Sequence, residues 1–182
     1  LALIAPVTIG LIFLLLYLNF RRVTDVLLVM AGLPFAMIGG ILLTFALDYE
    51  LSVAVYAGFL ALAGLTAETG VIMLLFLNQA RESALRAGRL DSRAALRRAV
   101  VEGATRRARP LLMTVASDAL GLLPIMWSHG SGADVMKRIA VPMVGGVVTS
   151  FVLELLVYPS IFLLWRGREI DRAAEPLVDD GV

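Results

Sequence analysis

The sequence holds no cysteine. Disulfides, thiolate metal sites and cysteine nucleophiles are therefore excluded. Histidine occurs once, as His129, in a Gly-rich stretch, where a solvated side chain is the plainer reading and a metal ligand the alternative. There is no His-Glu-x-x-His, no Gly-x-Ser-x-Gly and no Walker loop, so the hydrolase and nucleotide-binding signatures are missing. Charge is scarce as well: 17% of residues are ionic and the net charge is +1. Bulk charge thus gives no reason to expect a nucleic-acid partner. No charged n-region or cleavage motif precedes the first apolar run, so that run does not read as a signal peptide. The chain opens inside it, and the expectation is a fragment of a longer protein.

What is present is apolar. Hydrophobic residues make up 59% of the chain, the mean hydropathy is +0.87, and a soluble domain is nearer 45–50% apolar. The composition predicts an all-α membrane protein with five transmembrane helices at about 1–20, 23–47, 51–78, 110–127 and 138–165. Pro6, Gly10, Pro34, Gly39 and Gly40 lie inside the first two runs, where membrane helices tolerate them. Asp25, near the start of the second, is expected to reach water or Arg22. Between 81 and 109 the chain turns polar and carries nine arginines. Asp91-Ser92 reads as a helix N-cap there. Leu96, Ala99, Val100 and Gly103 then give a narrow apolar face, which predicts a cytoplasmic amphipathic helix lying along the lipid surface. A basic nucleic-acid-binding helix is the sharper alternative, disfavoured by the flanking membrane spans. Pro110 suits the first turn of the fourth span. The polar stretch at 166–182 reads as a cytoplasmic tail.

Arginine and lysine fix the orientation. All but Lys137 and Arg138 of the 16 basic residues fall after the first, third and fifth runs. Positive-inside counting then puts Phe20, Asn78 and the C-terminus in the cytoplasm, with Asp48 and His129 outside.

Three carboxylates stand at membrane depth: Glu68, Asp118 and Glu154. Glu68 is the one charged residue between Leu51 and Phe76. It shares a helix face with Ala54, Ala57, Ala61 and Gly64, a small-residue stripe that lets another helix come close. Glu68 is therefore expected to face a protein interface. By helical rise, Asp118 lies roughly 12 Å, and Glu68 and Glu154 roughly 15 Å, from their cytoplasmic ends. Three costly groups at one level point to a proton relay; a static polar network is the alternative. Thr114 is placed to hydrogen-bond Asp118, and Ser150 and Tyr158 to hold Glu154. Among the seven methionines, Met136 and Met143 share a face at the outer end of the fifth run. A thioether there could take a soft ion, or simply pack.

Several short motifs follow one another in order: Leu18-Asn-Phe-Arg-Arg22, Leu33-Pro-Phe-Ala36, Ala67-Glu-Thr-Gly-Val71, Glu102-Gly-Ala104, Arg109-Pro110, Met113-Thr-Val-Ala116, Gly121-Leu-Leu-Pro-Ile125 and Pro142-Met-Val-Gly-Gly146. Together they resemble the heavy-metal efflux branch of the resistance-nodulation-division (RND) transporters, close to its copper/silver pumps, over about 1–165. The resemblance implies the eighth to twelfth helices of a twelve-helix, proton-driven homotrimer in the inner membrane. It further implies a periplasmic adaptor protein, an outer-membrane channel, a metal cation as cargo and no cofactor. Glu68 matches the family's relay glutamate on the tenth helix, whose aspartate partner lies on the fourth. Met136 matches a methionine of the copper/silver path. Leu111 stands where those pumps carry a relay lysine, and Asp118 and Glu154 are acidic where their pattern is apolar. A pump for zinc, cobalt, nickel or organic solutes, or a non-transport assembly subunit, is the alternative.

Overall fold

A computed structural model of the chain describes residues 4–89 and 92–174. It contains five helices: α1 (Ile4–Phe20), α2 (Val23–Ala46), α3 (Val53–Arg86), α4 (Arg93–Met126) and α5 (Ala133–Ala174). No strand occurs among the described residues. Four helices are long and apolar enough to cross a membrane, and α1 adds a shorter apolar one. The chain is an all-α, multi-pass membrane protein.

The helix α5 is the hub. It packs against α2, α3 and α4, and α1 packs against α2. The α2/α5 contact is close because glycine meets glycine. A Cβ on Gly39 would meet the Gly145 carbonyl oxygen at 2.5 Å; α3 approaches α5 in the same way, where a Cβ on Gly58 would collide with the Ile139 carbonyl. Removing side chains at such points lets helix backbones touch. Below this contact the main core gathers Val26, Val29, Met73, Leu74, Leu77, Leu153, Tyr158 and Phe162 from three helices.

The polar stretch at 81–109 departs from expectation. It is not a separate surface helix. Its first part continues α3 to Arg86, a turn follows with Gly88 at φ +63°, and α4 then runs unbroken through Pro110. The reason lies in the spacing. Leu96, Val100, Gly103, Arg107 and Leu111 are all buried, and they follow one another in steps of three or four along one face. The buried stripe therefore crosses the proline, whose own ring is exposed. The apolar face lies on protein, not lipid: Leu96 and Val100 join the main core, and Gly103 is pressed on Ala80 and Phe76. At the start of α4 Ser92 accepts a hydrogen bond from the Ala95 amide, 3.2 Å; Asp91 lies outside the described residues. The fifth helix is likewise longer than expected and takes in part of the presumed tail, through Ala174.

Candidate functional site

The helix α3 separates two glutamates. Its inner side, Val55, Gly58, Leu62, Thr66, Thr69 and Met73, is buried. Its other side carries Glu68, which is exposed together with Ala57, Ala61 and Gly64. A Cβ on Gly64 would meet nothing within 4 Å. The small-residue stripe thus faces away from α5, and none of the five helices covers it. Both sides of α3 carry small residues at helical spacing, so counting small residues cannot tell which side a neighbour takes.

On the inner side, one residue further along, the Thr69 hydroxyl is hydrogen-bonded to Glu154 Oε1. Glu154 is fully buried, and its Oε2 has no hydrogen-bond partner among the described residues. The partners expected for it are occupied elsewhere. Ser150 donates to the Val147 carbonyl at 3.2 Å, and Tyr158 to the Val29 carbonyl at 3.4 Å. Tyr158 is wedged over Gly32 and Gly70, which fixes its hydroxyl on α2. The buried Arg107 guanidinium lies 5.9 Å from the Phe76 ring centroid. Sequence reasoning passed over Arg107, whose place in the buried stripe of α4 was the available signal.

The other candidates stand apart. Asp118 is half-buried on α4. Thr114 donates to the Pro110 carbonyl at 3.1 Å, the usual i−4 bond of a helical threonine, so the expected support for Asp118 is not made. No hydrogen bond or ion pair among the described residues joins Asp118 to either glutamate. Leu111 is wholly buried. Met136 is 49% exposed in the first turn of α5, whereas Met143 packs on Ala36, Leu62 and Val147. No group of three or more His, Cys, Asp or Glu side chains that could hold a metal occurs among the described residues.

A second polar cluster was missed. Asp25, expected near water, is 4% exposed. Arg166 Nη2 donates to Asp25 Oδ1 at 3.3 Å and to Oδ2 at 3.5 Å. Asn78 Nδ2 donates to Oδ2 at 3.2 Å. Arg166 also lies over the Phe162 ring, 5.6 Å from its centroid. The start of α2 and the far ends of α3 and α5 are tied together there. Asn78 and Arg166 fall at the borders of apolar runs, and the Asp25–Arg166 pairing spans 141 positions, so no local pattern carries it.

The sequence matches the AcrB/AcrD/AcrF family over residues 1–166. It is 46% identical over 171 residues to the cation efflux system protein CusA of Escherichia coli (strain K12), covering 92% of this chain and 16% of that protein. It is 45% identical over 171 residues to the putative cation efflux system protein SilA of Salmonella typhimurium, with the same coverage. The fold superimposes on the crystal structure of a heavy metal efflux pump with a TM-score of 0.77 at 33% identity, covering 91% of this chain and 16% of that one. The chain thus spans about a sixth of the length of these relatives. By these matches the chain belongs to the AcrB/AcrD/AcrF family and is similar, within it, to the heavy-metal efflux proteins.

Proposed function

We propose that this chain is the C-terminal membrane part of a secondary transporter that exports heavy-metal cations in exchange for protons, with copper or silver as the cargo. The transporter carries out no enzymatic reaction and needs no cofactor. Its setting is the inner membrane. It works as a homotrimer with a periplasmic adaptor and an outer-membrane channel, as the family resemblance implies. The observation that carries the reading is Glu68: a carboxylate in the middle of an apolar helix, on the face that these five helices leave open. A charge at that depth costs about 2.5–3.5 kcal/mol on insertion scales unless it meets a partner or water. The family resemblance implies a relay partner in the full-length protein, an aspartate of an earlier helix with which Glu68 would exchange a proton. Asp118, half-buried on α4, is the second relay candidate. Met136, exposed at the outer end of α5, is the candidate contact for a soft metal ion.

The test is metal-driven proton flux in proteoliposomes holding the full-length protein. Glu68→Gln keeps size and hydrogen bonding and removes the titrating group. It is expected to assemble and to lose proton-coupled export; wild-type flux would reduce Glu68 to a packing residue. Met136→Leu is expected to lower copper or silver resistance with the protein level unchanged. Unchanged resistance to both ions would take Met136 out of the path.

A further inference from the structure

Glu154 is buried more completely than any other carboxylate described, yet it is the one left half-satisfied. Oε1 meets a hydroxyl and Oε2 meets nothing. Buried polar side chains with a purely structural task are normally bonded at every atom. The partner is unusual too. Thr69 has a single hydroxyl proton and three acceptors within reach: Glu154 Oε1, the Leu65 carbonyl at 3.0 Å and the Thr66 carbonyl at 3.3 Å. It can serve one of them at a time.

This geometry has two self-consistent states. With Glu154 ionised, the Thr69 O–H must turn to the carboxylate, because an anion needs a donor. With Glu154 protonated, its own O–H can donate to Thr69 Oγ1, and the Thr69 proton returns to the Leu65 carbonyl. One proton is added or removed and no covalent bond changes in Thr69; only the direction of two hydrogen bonds reverses. We propose that Glu154 is a second proton-binding site of the transporter, distinct from Glu68, and that the Thr69 hydroxyl is the switch that registers its occupancy on α3. The inference rests on the pump reading above.

The surroundings suit both states. From α3 the facing groups are Thr66 and Thr69, and from α5 itself Ser150 and Tyr158, each one turn away. From α4 comes Arg107, buried and with its Nε lacking a hydrogen-bond partner among the described residues. From α2 comes the Val29 carbonyl, taken by Tyr158, while Asp25 is held by Arg166 and Asn78. Glu68 is next to Thr69 in the chain, roughly 100° around the helix. A reversal at Thr69 thus acts on the backbone turn that carries Glu68, through the Leu65 carbonyl, without contact between the two carboxylates.

The experiment uses the full-length transporter in proteoliposomes, with pH-difference infrared spectroscopy and metal-driven proton flux read on the same samples. A protonated-carboxyl band that grows on acidification is expected. It should be absent in Glu154→Gln, persist in Glu68→Gln and move in Thr69→Val. Log flux against pH should lose, in Glu154→Gln, the limb of slope about one that a single titrating group gives. A purely structural Glu154 predicts no change in either readout, since glutamine bonds Thr69 equally well. An unchanged pH profile, or a carboxyl band set identical to wild type, would overturn the proposal. Should Glu154→Gln fail to assemble, a band that does not move in Thr69→Val would overturn it. Absence of metal-driven flux in the wild-type protein would instead overturn the pump reading itself.

Discussion

Asp25 and Glu154 are both buried carboxylates in the same bundle, and they are treated in opposite ways. Asp25 receives a guanidinium and an amide, and both its oxygens are bonded. Glu154 receives one hydroxyl on one oxygen. Burial alone therefore does not tell a lock from a switch. A carboxylate with a guanidinium and an amide on its oxygens has its worth in holding three helix ends together. A carboxylate whose partner can both give and accept a proton has no single preferred state. The difference comes from the partner, and the partner comes from which helix packs opposite.

Three substitutions break or sharpen this contrast. The largest effect is expected from Asp25→Ala, which strands Arg166 in the interior. Removing one member of a buried pair costs about 3–5 kcal/mol, to be read from denaturant unfolding of the purified full-length protein. An effect below about 1 kcal/mol would make the cluster no firmer than a surface pair. Thr69→Val comes next. It leaves Glu154 with no partner, and a buried group so abandoned costs about 1–3 kcal/mol in the same assay. The smallest is Glu154→Gln, where the hydrogen bond survives and the stability change stays within about 1 kcal/mol. If Glu154→Gln destabilised the protein as much as Asp25→Ala, the two carboxylates would be doing the same job.

The apolar runs gave the helices because length and hydropathy are properties of a local window, and the membrane demands both. The order of the runs, and the like position of Phe20, Asn78 and the C-terminal end, agree with the meeting of Asp25, Asn78 and Arg166 at one end of the bundle. Pro110 misled because a proline that may begin a helix may also sit inside one when neighbours compensate. The continuous stripe from Leu96 to Leu111 was the better guide, since burial of that face outweighs one missing amide. Glu68 and Glu154 were both recognisable as costly groups. Their neighbours were not, because Thr69 and Glu154 are 85 positions apart and nothing local links them. The side of α3 that carries Glu68 is open among these five helices, and no local pattern names what lies across from it.

The unbroken course of α4 also has a mechanical side. Its 34 residues at about 1.5 Å each form a rod of roughly 50 Å. The polar half that carries the arginines and the apolar half that carries Asp118 are one lever, with Arg107 and Leu111 seated near its fulcrum. A tilt of roughly 5° about that fulcrum sweeps each end by about 2 Å, in opposite directions.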